Sequence, residues 1–163
     1  NLNSFIEDNL QMNEEDLNEI AMQIIEFLSP LLEEKNIHLK FQASSGLSKI
    51  LCIRKQIEAL IQILLENAIN YSEPDTQIDL IIQEEATGRI SVTVSDRGIG
   101  IEEKNLKNIF KEYFRTNSAV KKSYNGTGLG LAIAKRIAEL HRTDISVDSV
   151  VGEGSTFKVE FPV

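Results

Sequence analysis

Four stretches of the chain carry residue types and spacings suited to chemistry. In NGTGLGLAIAKR, residues 125–136, Gly126, Gly128 and Gly130 alternate with other residues and lead into a helical pattern. Such a loop frees backbone N–H groups to point at an anion at the positive end of a helix dipole. It matches neither the GxxxxGK[ST] phosphate loop nor GxGxxG after a strand. In SDRGIGI, residues 95–101, Gly98 and Gly100 allow positive φ and the close approach of a flat ligand, and Asp96 can accept from an exocyclic amine. An ordinary turn would use the same residues. On the helix expected over 55–71, Leu60, Ile63, Leu64, Asn67 and Tyr71 share one face, so Asn67 interrupts an apolar stripe. A buried amide without partners costs about 1–3 kcal/mol, so Asn67 needs backbone, water or a ligand. Its carbonyl oxygen is also a hard donor of the kind Mg²⁺ accepts. Glu66 and Asn70 border that face, and a solvated helix edge explains them as well. GEGSTF, residues 152–157, reads by itself as a hairpin turn.

These stretches need elements to position them. From Asp16, the residues Leu17, Ile20, Ala21, Ile24, Phe27, Leu28, Leu31 and Leu32 recur at helical spacing, and Pro30 is expected to kink or interrupt the helix near its end. IHLKF at 37–41 and KILCI at 49–53 read as strands. QIDLIIQEE and RISVTVSD, after the turn signal SEPD, read as a hairpin around Thr87 and Gly88. Residues 102–125 are charged and irregular around the apolar knot IFKEYF and read as a mobile segment between two rigid ones. A helix from about Thr127 to His141 follows, then the strands DISVDSV and TFKVEFP, joined through residues 152–155. This order implies an α+β two-layer sandwich, a mixed β-sheet with helices packed on one face.

Composition narrows the function. With 163 residues, 42% hydrophobic, the chain can bury one sizeable core. A net charge of -8 repels phosphate backbones and anionic headgroups, which argues against nucleic acid or a membrane surface as partner. The best apolar run, ALIQILLENAI, is broken by Gln62, Glu66 and Asn67, short of the ~20 residues of a membrane span. No signal peptide is evident. The chain opens with Asn1 rather than Met, which reads as a piece of a longer protein, with residues 1–12 a linker or the stub of an upstream helix. The lone Cys52 reads as a buried strand residue in a reducing, cytoplasmic setting, whether or not the parent is membrane-anchored. His38 and His141 lack metal-ligand spacing.

In order, ILLENAINYS, SDRGIGI, IFKEYFR, GTGLGLAIAKR and GEGSTF resemble the N, G1, F, G2 and G3 boxes of sensor histidine kinase catalytic domains, in the superfamily shared with gyrase B, Hsp90 and MutL. Five boxes over residues 54–161 are far more specific than any one. The resemblance implies a Bergerat-type sandwich over 13–163, with ATP held between the N-box helix and a flexible ATP lid at about 102–125. By family role Asn67 coordinates Mg²⁺, Asp96 recognises the adenine amine, Gly98 and Gly100 shape the adenine pocket, and Tyr71 borders the base. Gly126, Gly128 and Gly130 serve the triphosphate and hinge the lid. Glu66 matches the acidic residue that activates water in the ATPase relatives and stands with Asn67 as a catalytic candidate. Asn70, Ile101, Arg115, Thr127, Leu129, Leu131 and Thr156 complete the expected nucleotide contacts.

The chain departs from the pattern at several positions. Ile63 stands where many members carry Asn, Asn70 replaces a common Lys, and Glu112 replaces a common Arg, with Lys111, Arg115, Lys121 and Lys122 as the remaining lid cations. Arg142 and Thr143 stand where Gly-Gly is usual, so the helix end must be capped differently. Neither His38 nor His141 sits in the acceptor context of His followed by Glu or Asp, so His38 reads as strand surface and His141 as helix end. The resemblance therefore implies transfer of the γ-phosphoryl of Mg-ATP to a histidine on an upstream dimerisation domain, and from there to the receiver domain of a response regulator. The parent is expected to be a homodimer and the isolated domain a monomer. The rival readings are a conformational ATPase of the gyrase, Hsp90 or MutL class and a degenerate nucleotide-binding module without turnover.

Overall fold

The computed structural model describes residues 11–115 and 128–163. In chain order the elements are β1 (Asn13–Glu15), α1 (Leu17–Glu34), β2 (His38–Ala43), β3 (Ile50–Cys52) and α2 (Arg54–Tyr71). They continue as β4 (Gln77–Glu84), β5 (Ile90–Asp96), α3 (Glu103–Leu106), α4 (Gly130–Leu140), β6 (Ile145–Val150) and β7 (Gly154–Phe161). Five strands form one sheet in the order β2-β4-β5-β7-β6, parallel between β2 and β4 and antiparallel elsewhere.

Period-two patterning sets the layers. Ile78, Leu80 and Ile82 of β4, Val92 and Val94 of β5, and Phe157, Val159 and Phe161 of β7 are buried on one face, while Asp79, Thr93, Thr156, Lys158 and Glu160 lie on the other. The buried face meets Leu60, Ile61, Leu64 and Leu65 of α2 and Ala134, Ile137 and Ala138 of α4, with Ile20, Ile24 and Leu28 of α1 joining the same core. This is the expected α+β two-layer sandwich.

Several local expectations change. Pro30 does not interrupt α1, which runs on to Glu34. Proline removes the N–H that would reach the Glu26 carbonyl, and the Ser29 hydroxyl donates to that carbonyl instead at 2.8 Å. β3 stands outside the main sheet and pairs with β1, a strand whose sequence NEE carries no alternation to announce it. Cys52 is buried in β3 as expected, and burial lifts its thiol to about 12. The glycine-led helix α4 begins at Gly130 rather than at about Thr127.

The end of α4 keeps a left-handed cap without glycine. Arg142 itself takes φ 58, and the Thr143 N–H donates to the Ala138 carbonyl at 3.0 Å. His141 is buried beside this cap. Its Nδ1 donates to the Ile137 carbonyl at 2.8 Å and its Nε2 accepts from the Ile53 N–H at 3.1 Å, which clasps α4 to the start of α2. Because Nε2 accepts a hydrogen bond it carries no proton, so the ring is a neutral structural clasp, and burial lowers its pKa. No helix among the described residues is long and apolar enough to cross a membrane.

Candidate functional site

The C-terminal end of α2, the loop after β5 and the start of β7 converge on one cavity. Its polar groups are Asn67, Tyr71, Asp96, Arg115 and Ser155, set among Ile99, Ile101, Ile109, Phe114 and Leu131.

Asp96 ends β5 on the core face and is only 8% exposed. Its Oδ1 accepts from the Gly98 N–H at 2.9 Å and the Ser155 N–H at 3.3 Å. Burial raises its pKa, and those two backbone donors oppose the rise by favouring the carboxylate. Among the described residues the second carboxylate oxygen has no hydrogen-bond partner, which leaves an acceptor at the cavity floor.

The floor is a row across three strands. Strand register places Asp96 opposite Ser155, and Ser155 opposite Ser149 of β6. The next row, Val94, Phe157 and Val147, is apolar, so the polar row marks where the core gives way to the cavity. The glycines around it weld the site together. A Cβ on Gly98 would lie 2.1 Å from the Tyr71 carbonyl oxygen, on Gly100 2.2 Å from that of Val150, and on Gly154 2.0 Å from that of Asp96. The Ile99 N–H donates to the Tyr71 carbonyl at 3.3 Å and the Gly152 N–H to the Ile99 carbonyl at 2.9 Å.

The structure sorts the expected site residues. Asn67, Tyr71, Asp96, Gly100, Ile101, Arg115 and Leu131 line one cavity, with Gly98 packed directly behind it. Asn67 is half-buried at the cavity edge rather than inside the apolar stripe, and among the described residues its amide makes no hydrogen bond. Glu66 lies off the cavity lining and accepts from the Gln62 side chain at 3.1 Å, and the Asn70 carbonyl accepts from the Lys35 ammonium at 3.1 Å. Leu129 caps α4 outside the lining, and Gly130 opens the helix against Ile63, whose methyl would lie 3.5 Å from a Cβ there. Gly128, at φ 77, accepts from the Tyr113 N–H at 2.9 Å. Gly126, Thr127, Lys121 and Lys122 lie outside the described residues.

Thr156 is a correction. It belongs to the outer sheet face, where its hydroxyl meets that of Ser95 at 2.9 Å, and Ser155 faces the cavity in its place. Strand parity carried the signal, because Ser155 shares its face with Phe157, Val159 and Phe161. Ile99, Ile109 and Phe114 were also missed as lining. Within 102–115 the apolar knot is anchored, with Ile109 buried and Phe110 edge-on to Phe157 at 6.4 Å, whereas Tyr113 is 69% exposed.

Comparison with known proteins agrees with this geometry. Residues 52–163 match the family model described as histidine kinase-, DNA gyrase B- and HSP90-like ATPase. Curated relatives include the circadian input-output histidine kinase CikA of Synechococcus elongatus, 33% identical over 94% of this chain and 20% of its own length. The sensor protein BceS of Halalkalibacterium halodurans is 35% identical over 97% of this chain and 46% of its own. The chain thus spans less than half the length of these relatives. Among solved structures, the catalytic domain of histidine kinase ThkA superposes with a TM-score of 0.81 at 26% identity, covering 94% of this chain and 96% of that one. Full-length ShkA in complex with AMPPNP gives 0.81 at 26% identity, covering 94% and 31%. The chain belongs to the histidine kinase-, DNA gyrase B- and HSP90-like ATPase family and, within it, to the ATP-binding domains of sensor histidine kinases.

Proposed function

We propose that this domain binds Mg-ATP in the cavity between α2 and the β5–β7 row and donates the γ-phosphoryl group to a histidine on a partner domain. The observation that carries the reading is Asp96, a buried carboxylate held on one oxygen by two backbone N–H groups, with the other oxygen left to accept from an adenine amine. Gly100, Ile99, Ile101 and Leu131 supply a flat apolar slot for the base. Arg115 supplies positive charge for the phosphates in an otherwise acidic chain.

The site suits magnesium bound through oxygen. Among the described residues no group of His, Cys, Asp and Glu could hold a metal, and the unpartnered Asn67 amide at the cavity edge offers one hard oxygen, to which phosphate oxygens would add. The ion would neutralise charge that develops on the transferring group. The protein positions the γ-phosphorus in line with an imidazole nitrogen. As the nitrogen–phosphorus bond forms, the bond to the β–γ bridging oxygen breaks and ADP leaves with that electron pair.

The acceptor lies outside the described residues of this chain on this reading. His141 has both ring nitrogens committed to backbone, and His38 is on exposed β2 and does not line the cavity. An upstream dimerisation domain would present the histidine, and a receiver domain would then take the phosphoryl group. Two observations support transfer over conformational ATPase work: CikA and BceS are named as a histidine kinase and a sensor protein, and Glu66, the residue that would activate water, stands off the cavity lining.

Labelled ATP with Mg²⁺ and a sensor-kinase helical hairpin carrying its phosphoacceptor histidine tests the reading. Label should appear on the hairpin and not on this chain. Phosphohistidine at His38 or His141, or hydrolysis without any transfer, would overturn it.

A further inference from the structure

The three hydroxyl contacts of Ser149 admit one arrangement of protons. Its Oγ lies 2.7 Å from the Ile101 N–H, 2.9 Å from the Gly154 carbonyl oxygen and 2.8 Å from the Ser155 Oγ. A serine hydroxyl has one proton to give and two lone pairs to receive. The Ile101 N–H can only donate and the Gly154 carbonyl can only accept, so Ser149 spends its proton on Gly154. The remaining contact must then be donated by Ser155.

This assignment fixes what the cavity offers a ligand. Ser155 lines the floor beside Asp96, and with its proton turned back toward Ser149 it presents lone pairs alone. The carboxylate next to it is also an acceptor. Ser149 itself does not line the cavity, so it acts through Ser155 and through the Ile101 backbone that it holds.

We propose that Ser149 is a specificity-determining positioning residue. By holding the Ser155 proton it keeps the cavity floor acceptor-only, so that the site favours a purine bearing an exocyclic amine over one bearing a carbonyl at the same place. The inference rests on the nucleotide reading above. A carbonyl facing two acceptors would be desolvated without a donor, and sites built on such pairing discriminate far more strongly than apolar pockets do. Removing the Ser149 hydroxyl returns the Ser155 proton to the cavity, where it can serve a carbonyl.

The test is calorimetry with Mg²⁺ and non-hydrolysable analogues of ATP and of ITP, whose hypoxanthine carries a carbonyl in place of the adenine amine. In Ser149→Ala the ATP-to-ITP affinity ratio should fall about tenfold, and Ser149→Thr, which restores a hydroxyl, should recover it. Equal loss for both nucleotides, whatever happens to the melting temperature, would show Ser149 to be a merely structural support and overturn the proposal. Should Ser149→Ala fail to fold, Ser155→Ala removes the same acceptor and must also lower the ratio; an unchanged ratio there overturns it equally. Failure of the wild-type chain to bind the ATP analogue would instead refute the nucleotide reading on which the proposal stands.

Discussion

The two sides of the cavity are built on opposite principles. On the β5–β7 side the polar groups fix one another in place: one oxygen of Asp96, Ser155, Ser149 and the backbone of 98–101 and 150–155 are hydrogen-bonded together, only acceptors are turned to the cavity, and three glycines are packed too tightly to carry a side chain. On the α2 side, the half-buried Asn67 amide has no hydrogen-bond partner among the described residues. On the proposed reading the fixed side recognises the rigid base, and preorganised acceptors there would cost no reordering when it binds. The unpartnered side is where a metal and a charged phosphate chain would supply the missing partners. Recognition is thus written into the fold, and chemistry is left for the ligand to complete.

Changes to the close-packed glycines of the fixed side should act first on folding. Gly154 lies at φ 132 with the Asp96 carbonyl oxygen 2.0 Å from where a Cβ would be. Gly154→Ala should destabilise the domain by more than about 3 kcal/mol, because backbone on both sides has nowhere to move. Denaturant unfolding reads this, and a loss under about 1 kcal/mol would mean that the weld is looser than described.

Changes on the unpartnered side should spare the fold and stop the chemistry. Asn67→Asp keeps the shape and replaces the amide donor with charge. Transfer to an added acceptor hairpin should fall about 100-fold or more, the scale of a lost electrostatic contact in catalysis, with little change in melting temperature. Wild-type transfer rates would remove Asn67 from the metal site.

Much of this contrast was legible in the sequence, for identifiable reasons. Asp96, Gly98 and Gly100 sit at a strand exit, where local spacing alone shows a turn able to approach a ligand. The amphipathic face of α2 likewise brought Asn67 and Tyr71 to one place. Thr156 was expected only from the resemblance; β7 begins at Gly154, and its parity puts Ser155 inside. The Ser149 relay depends on the register between β6 and β7, which no local pattern encodes. Glu66 and Asn70 were expected at the site from the resemblance, whereas their positions alone read equally as a solvated helix edge, and neither lines the cavity. β1 was invisible because three polar residues form a strand only when β3 is there to pair with them.

A smaller effect separates the site from the scaffold behind it. His141 is neutral in the fold and its pKa is lowered by burial, whereas the unfolded ring titrates near its ordinary 6.5. The unfolded chain therefore binds the extra proton first, and stability that is complete above about pH 6.5 should decline as pH falls below it. His141→Gln should flatten this part of the pH profile of the melting temperature. An equally steep decline in the variant would assign the dependence to other groups.

The most direct test of the central claim is Asp96→Asn, measured for nucleotide affinity and thermal stability together. The asparagine carbonyl can still accept from the Gly98 and Ser155 N–H groups, and the substitution removes a buried charge whose raised pKa shows that it costs stability at neutral pH. Its amide, however, turns donors toward the adenine amine. The prediction is that affinity for the Mg²⁺ complex of an ATP analogue falls about 100-fold or more while the melting temperature holds or rises. Unchanged affinity in a folded Asp96→Asn variant would contradict the claim that this carboxylate reads the base.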